Sequence, residues 1–381
     1  MRPVRVGLIT TLNRNIGDDF IKDGIVQVLS RIFAGHHVEF IAVNKHNPFT
    51  VYPDWHPLRW LQGLDRLPRG GRVTGRLKAD MSRLLHGLGG SRFDRTNMIV
   101  QCGAPVLWPG CHKCEWASPL WDQVVGRLSE RIPVLNLAAG SSYPWEDQPQ
   151  IVRDPRDSDF LRRILGYCRV TTVRDELASR LANSLGSTLP IIPCSAFLVG
   201  RRFRIPPPDD DGIVLFSYMP GAGHFQWQQG IDEKGWMTTA RSLIERVSSR
   251  HRVAFVCHDP REYAVAQLIN GNVPRLMPTT VEDYFSLIAH SKAAVCNRLH
   301  AAVALAGLGI PSVSVGTDTR LLMVAAIGLP HRYVKHVGIE QLEEDLETVL
   351  KNRRAERDRL IELREWTWTR YTDEIRQVVA E

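Results

Sequence analysis

The chain has 381 residues, of which 44% are hydrophobic and 23% charged, enough for two ordinary domains or one large α/β domain with a real core. Such a composition lies away from both disordered and membrane-spanning chains. Lys and Arg number 48 against 41 Asp and Glu, a formal charge of +7; this falls short of the dense basic stripe of a dedicated nucleic-acid binder and hints at an anionic ligand or surface. Seven cysteines stand scattered in apolar contexts such as IVQCGAPV and IIPCSAF, as expected of reduced, buried thiols rather than of a disulfide framework. The start, MRPVRVGLITTLNRN, moves straight into a strand-like run. With no stretch of about 18 apolar residues, neither a secretion signal nor a membrane span is expected, and the expected location is cytoplasmic.

In chain order, VRVGLIT, VEFIAV, MIVQCG, VLNLAAG, VTTVRD and PIIPCS read as strands. Between the first two, Asp18 to Phe33 reads as a helix, with Phe20, Ile21, Ile25, Val28, Leu29 and Ile32 on one face. GRRFRIPPPDDDG, from Gly200 to Gly212, excludes helix by its prolines and a core strand by its aspartates, and reads as a linker. The alternation then restarts, with IVLFSYM, RVAFVCH, AAVCN and PSVSVG as strands and helices over Thr238 to Ser249, Glu262 to Ile269 and Val281 to His290. From Ile339 a charged amphipathic stretch carries Leu342, Leu346, Val349, Leu350, Leu360, Leu363, Trp366 and Tyr371, as one or two covering helices would. The expected fold class is α/β: two Rossmann-like domains, residues 1–200 and 201–381, face across a cleft in a GT-B-like arrangement, with C-terminal covering helices on the second. Ligands of such open sheets collect at the carboxyl ends of the strands.

Candidate chemistry sits at those ends. NRNIGDDFIKDGI follows the first strand, and its Asn15, Asp18 and Asp19 can hydrogen-bond a hydroxyl-rich ligand; equally, Asp18 or Asp19 can cap the helix. Gly103 in QCGAPVLWPG permits close approach of backbone to a ligand. Cys111, His112 and Cys114 of CHKC are too few for a recognisable zinc site, and no metal is expected. Arg174 at the end of VTTVRD can grip a carboxylate or phosphate, or pair with Asp175 or Glu176. His258 and Asp259 repeat the geometry in the second half, to orient a ligand or to start a helix. In AAVCNRLHAAVALAGLGIPSVSVG, a strand runs into Arg298, Leu299 and His300 at the mouth of an Ala-rich helix. Exposed N–H groups there favour an anion, arginine adds a fixed cation and histidine a proton donor.

NIGDD, VRDELAS and NRLHAAVALAGLGIPSVSV, in that order, resemble the polysaccharide pyruvyl transferase family over roughly residues 5 to 320. The resemblance implies a GT-B-like fold and transfer of pyruvate from phosphoenolpyruvate to a hexose of a surface polysaccharide or its lipid-linked precursor, commonly as a ketal. It implies Arg174 and Arg298 as the cations for phosphoenolpyruvate, Leu299 as a residue of the donor pocket and His300 as the catalytic acid or base. Asn15, Asp18, Asp19, Gly103 and His258 are then the candidate acceptor contacts, with no cofactor or metal and phosphoenolpyruvate as co-substrate. The family's glycine run after the third strand is reduced here to Gly103, which bears on the acceptor more than the donor. Two other readings use the same cleft: a nucleotide-sugar glycosyltransferase and a non-catalytic glycan binder. Between Arg59 and Arg95 nine basic residues face three acidic ones, either a solvated insertion or a face for anionic membrane lipid or a lipid-linked acceptor.

Overall fold

The computed structural model describes residues 3–12, 15–61, 85, 90–204 and 210–380. Two parallel sheets organise it. The first contains β1 (Val4–Thr10), β2 (Val38–Asn44), β3 (Met98–Cys102), β4 (Pro105–Leu107), β5 (Val134–Ser141) and β6 (Val170–Val173) in the order β2-β1-β3-β5-β4, with β6 also on β5. The second contains β7 (Ile213–Ser217), β8 (Val253–Val256), β9 (Arg275–Leu276), β10 (Ser291–Cys296), β11 (Ser312–Gly316) and β12 (His331–Tyr333), ordered β12-β11-β10-β7-β8-β9. That second order, read from β9, is the 3-2-1-4-5-6 arrangement of a Rossmann fold, whose strand order reverses between β7 and β10. In the first sheet the reversal lies between β1 and β3. Nearly all strands are apolar on both faces, because helices cover both sides.

The helices that matter for the site are α1 (Ile16–Ile32), α2 (Pro155–Tyr167), α3 (Glu176–Ser184), α4 (Glu233–Ser248), α5 (Pro260–Ile269), α6 (Val281–Ile288), α7 (Leu299–Gly307) and α8 (Ile339–Val379). The expected strand PIIPCS is not one. Pro190 and Pro193 break the run, only Ile191 bridges to Val173, and Ser195–Arg202 continues as a 3-10 helix. The expected linker thus starts as an ordered wedge, and residues 205–209 lie outside the described residues. The short strands β4, β9 and β12 escape sequence reading because two or three residues carry no periodicity.

The wedge joins the two halves. A Cβ on Gly24 of α1 would overlap the Ser195 carbonyl oxygen, one on Gly200 the Gly307 carbonyl, and one on Gly307 the Phe197 carbonyl. Helix α1, the wedge and α7 therefore touch backbone to backbone. Around them one core unites Ile16, Phe20 and Ile21 with Phe197, Val199 and Leu299 to Ala306. Helix α8 is one continuous element. Its first turns bury Leu342, Leu346, Val349 and Leu350 against the second sheet, and its last bury Tyr371, Ile375 and Val378 among Val6, Leu8 and Met98 of the first. Tyr371 Oη donates to Pro193 O at 2.9 Å, and the buried Arg364 donates from Nη1 to Gly307 O at 2.7 Å, capping α7. A division at residues 200 and 201 falls inside the wedge, and the C-terminal helix serves both sheets.

Overpacking at these contacts is expected to cost about 1–3 kcal/mol each for Gly24→Ala and Gly307→Ala. Gly166→Ala in α2, where nothing lies within 4 Å of the missing Cβ, should be neutral or stabilise by up to about 1 kcal/mol. Urea unfolding curves that do not separate the two classes would refute the wedge.

Candidate functional site

The two helix N-termini meet. A Cβ on Gly17, in the first turn of α1, would lie 3.2 Å from His300 Cβ and 3.7 Å from its Nδ1. Asn15 caps α1 by accepting the Gly17 N–H at 2.8 Å, whereas Arg298, at the N-cap of α7, makes no side-chain cap. The first N–H groups of α7 are therefore open toward the junction, and two helix dipoles present their positive ends there.

Arg174 lies under this junction and is completely buried. Its Nη1 donates to His300 Nε2 at 3.3 Å and contacts Cys194 Sγ at 3.6 Å. Its Nε and Nη2 are buried without a partner among the described residues. Asp175 does not neutralise it. That carboxylate turns away to accept from Ser141 N (2.9 Å), Ser141 Oγ (2.8 Å) and Ala178 N (2.8 Å), capping α3. Room for the guanidinium comes from Gly140, where a Cβ would overlap Arg174 Nε. Strand β5 bulges just before it, with Ala138 at φ 56° and a register shift between Asn136 and Ala139; a left-handed alanine stores strain of the kind found at functional sites.

Since arginine has no acceptor, the bond from Arg174 identifies Nε2 as the bare nitrogen of His300 and leaves the proton on Nδ1. Burial, with Arg174, Arg320, Arg298 and Lys45 adding to it, holds the imidazole well below its usual 6.5. The resting ring is neutral.

The second sheet supplies two further arginines, each held by carboxylates. Arg298 donates to Glu262 from Nε at 2.6 Å and to Asp259 from Nη2 at 3.2 Å. Arg320 grips Asp318 through Nε (2.9 Å) and Nη2 (2.7 Å) and lies 4.9 Å from the Phe225 ring centroid. Asp318 and Thr319 also stitch the halves together. Thr319 Oγ1 accepts from Tyr143 N at 2.9 Å and lies 3.0 Å from Ser141 Oγ, and Thr319 N donates to Tyr143 O at 3.0 Å. Asn297, just before Arg298, ties the end of β10 to Met219 N after β7 (2.9 Å), to Val315 O of β11 (2.9 Å) and to Trp236 Nε1 of α4 (3.2 Å).

Of the residues expected from sequence, Arg174, Arg298, Leu299 and His300 come together at this junction, with Leu299 in the shared core beneath it. The candidate acceptor contacts fare differently. Asn15 spends its carboxamide oxygen on the cap, and Asp19 pairs with Lys22 at 2.7 Å. Asp18 alone faces the cations; burial raises its carboxyl above the usual value, against the pull of Lys45, His46 and Arg298. Gly103 makes its close approach to Ile21 Cγ2, 2.6 Å from a Cβ there at φ +28°, and to Ala138, so its requirement is packing rather than a ligand. His258, expected to contact an acceptor, does not reach the cleft. Its side chain is 1% exposed, and its backbone N–H (2.7 Å) and Nδ1 (3.3 Å) meet Glu262. Burial pushes the Glu262 carboxyl up, but His258 and Arg298 outweigh it. His258 thus positions Arg298 through Glu262 and is too enclosed to touch an acceptor.

Sequence reading missed Arg320 and Lys45, which follow β11 and β2. Each stands a few residues past a strand and lacks a motif; the signal was only their place at a carboxyl sheet edge. In the CHKC loop, His112 Nδ1 lies 2.5 Å from Asp157, which also accepts from Gly110 N at 2.7 Å. With Asp154 these atoms fall within 4.8 Å of one another, and Cys114 stands outside the group. Asp154 is spent on capping α2, so the cluster locks the loop onto that helix. The basic residues from Arg66 to Arg83 lie outside the described residues. Of their flanks, Arg59 pairs with Asp54 at 2.5 Å. No helix among the described residues is long and apolar enough to cross a membrane.

The fold is shared with solved structures. The Staphylococcus aureus protein MnaA with UDP is 11% identical with a TM-score of 0.53, covering 99% of this chain and 97% of its own. A UDP-GlcNAc 2-epimerase from Neisseria meningitidis, bound to UDP-GlcNAc, is 13% identical with a TM-score of 0.51, covering 94% of each chain. At these identities the likeness shows the two-domain, GT-B-like fold alone. No curated protein matches the chain in sequence. The polysaccharide pyruvyl transferase model, in contrast, matches residues 119–319, more than half of the sequence and inclusive of β5, Arg174, the wedge, Arg298, His300 and Asp318. By that match this chain, a transferase, belongs to the polysaccharide pyruvyl transferase family.

Proposed function

We propose that the enzyme transfers the pyruvyl group of phosphoenolpyruvate to two hydroxyls of a sugar in a polysaccharide or its lipid-linked precursor, closing a ketal. The observation that carries this reading is Arg174: a fully buried guanidinium with two nitrogens, Nε and Nη2, unpartnered among the described residues, bonded to a neutral His300 where two helix N-termini meet. Leaving donors unpaired and a charge unneutralised is costly. A compact, multiply charged anion relieves both, through charge-assisted hydrogen bonds to Nε and Nη2 and to the open N–H groups of α7.

Anion binding also prepares the proton. The donor's negative charge offsets the cations that kept the ring neutral, and where Nη1 of Arg174 also turns from His300 Nε2 to the anion, that nitrogen is free for a proton. His300 then takes up a proton and delivers it to the methylene carbon of phosphoenolpyruvate. The C=C pair forms the new C–H bond, the adjacent carbon becomes cation-like, and a sugar hydroxyl attacks it, surrendering its proton. The bond from that carbon to the phosphate oxygen breaks with its electron pair on phosphate, and a second hydroxyl closes the ketal, its proton leaving with phosphate or solvent. Two hydroxyl protons are lost, one is gained by carbon, and the other is carried off, so the reaction balances with inorganic phosphate as the only other product. It needs no metal or organic cofactor. Arg298 and Arg320, pre-paired with carboxylates, stabilise the leaving phosphate with less net charge. Asp18, facing these cations, is the candidate for the acceptor hydroxyl. In this reading the first sheet presents the acceptor side and residues of both sheets hold the donor.

Incubation with phosphoenolpyruvate and an array of hexosides should release phosphate and add a pyruvyl increment detected by mass. His300→Ala should lower turnover roughly 100- to 10,000-fold, and Arg174→Met should weaken phosphoenolpyruvate binding roughly 10- to 100-fold. A melting temperature raised by UDP and not by phosphoenolpyruvate would instead favour a nucleotide-sugar donor; ligand at about 100 times its Kd stabilises by about 2.7 kcal/mol.

His300 also makes stability depend on pH. Its folded-state pKa lies well below the ordinary 6.5, so as pH falls through about 6.5 the unfolded chain gains a proton that the folded one refuses. This contribution is fully present above about pH 6.5 and is lost progressively below it. Thermal melts from pH 7.5 to 5 should show His300→Gln gaining on wild type as pH drops, with inorganic phosphate narrowing the difference. Parallel curves would contradict the neutral resting ring.

A further inference from the structure

Lys45 is the buried cation that the reaction above leaves unused. It follows β2 directly, and its N–H donates to Thr10 O at 2.8 Å, which sets it level with the carboxyl end of β1 and so beside the start of α1. The residue is 7% exposed. Among the described residues no side chain or carbonyl bonds its ammonium, which stands over the Trp116 ring, 5.8 Å from Nζ to the centroid. The groups that act on it come from four other elements. Asp18 faces it from α1, Arg174 from the end of β6, His300 from α7, and Cys114 and Glu115 from the loop after β4. Asp18 attracts it without reaching ion-pair distance. Cys114, pushed by burial to about 12, is an uncharged thiol, and Glu115 is bonded to His46 Nδ1 at 2.6 Å.

We propose that Lys45 is a direct ligand of the bound anion, joining Arg174 to complete the grip of the first sheet. This rests on the donor reading above, and it assigns a ligand that the sequence motifs do not contain. An ammonium is a compact point charge that suits a single carboxylate or phosphate oxygen, where Arg174 offers a fork. Both groups exist on phosphoenolpyruvate, and separate probes tell them apart. A consequence follows for protons. Burial lowers the ammonium to about 8 against the attraction of Asp18, so in the empty pocket it is partly deprotonated near that pH. An anion favours the charged form, so binding takes up a proton, and affinity falls as pH rises through about 8.

The test is calorimetric titration of wild type, Lys45→Met and Lys45→Arg with phosphoenolpyruvate, inorganic phosphate and pyruvate at pH 6.5 to 9, alongside melting of the unliganded proteins. Lys45→Met is expected to weaken phosphoenolpyruvate binding roughly 10- to 100-fold at neutral pH. It should also flatten the pH dependence above 7.5, and raise the unliganded melting temperature because an unpaired buried charge is gone. Lys45→Arg should bind with little pH dependence. Weakened phosphate binding marks the phosphate as the partner, weakened pyruvate binding the carboxylate. Unchanged binding by Lys45→Met, or weakened binding together with a lower unliganded melting temperature, overturns the assignment while the donor reading stands. If wild type ignores phosphoenolpyruvate but binds phosphate in a Lys45-dependent way, the donor reading falls and the anion ligand remains. Wild type that binds none of the three overturns both.

Discussion

Gly24, Gly200 and Gly307 let α1, the Ser195–Arg202 wedge and α7 come into contact backbone to backbone, and the position of both helix N-termini follows from that contact. Each helix leaves the carboxyl end of a strand beside its sheet's reversal point. In an isolated Rossmann-like domain one such N-terminus faces a ligand. Here the wedge brings two together, so that Gly17 lies against His300. No side chain could substitute for this contact, because any Cβ at the three glycines would separate the helices. The shared core around Phe20, Phe197 and Leu299, and α8 spanning both sheets, keep the halves from drifting apart.

With the helices in place, the charges are distributed unequally. Arg298 is neutralised by Glu262 and Asp259, Arg320 by Asp318, and His258 stiffens Glu262 from behind. These arginines are held in geometry by their partners, as fixed dipoles rather than free charges. Arg174 and Lys45 have no such partner within ion-pair distance among the described residues, and both belong to the first sheet. Electrostatic demand for an anion therefore arises on the first sheet, while the second contributes orientation, hydrogen-bond donors and the histidine. A ligand that satisfies both must sit between them, which is why the Asp318–Thr319 stitch to Ser141 and Tyr143 matters: it fixes the spacing across which the ligand reaches.

The two-sheet architecture and the candidacy of Arg174, Arg298 and His300 were legible because they depend on patterns of more than a few residues, whereas the order of strands within each sheet and the Arg174–His300 bond were not read from the sequence. Apolar runs alternate with helical periods, and an arginine or histidine stands at a strand-to-helix junction. What was not legible depends on where backbones touch. Gly103 and Asn15 looked like ligand contacts because glycine and asparagine at a sheet edge suit both binding and local geometry; Ile21 packing and the α1 cap decide the matter. His258 had the right position along its strand, but the fold turns its ring inward beside Tyr284. PIIPCS had the composition of a strand, yet its prolines and the need to pass between two helices made it a wedge. Lys45 and Arg320 carry no local signal, since their meaning comes only from the strands that bring them to one edge.

The net charge of +7 is a poor guide to this site for the same reason. Around it, the carboxylates Asp18, Asp175, Asp259, Glu262 and Asp318 outnumber the cations Arg174, Arg298, Arg320 and Lys45, so the anion preference comes from geometry: which carboxylates reach a cation and which are turned to helix caps. Asp175 illustrates this. It adjoins Arg174 in sequence yet spends its oxygens on Ser141 and Ala178, leaving the guanidinium unsatisfied. Were Asp175 to swing onto Arg174, the cation would be paired and the start of α3 uncapped. The resting state thus trades a local ion pair for a helix cap and keeps an unsatisfied cation beside a neutral histidine. On the proposed reading, the charge of an arriving anionic substrate is itself what would convert His300 into an acid, so protonation would wait for the anion that is to receive it.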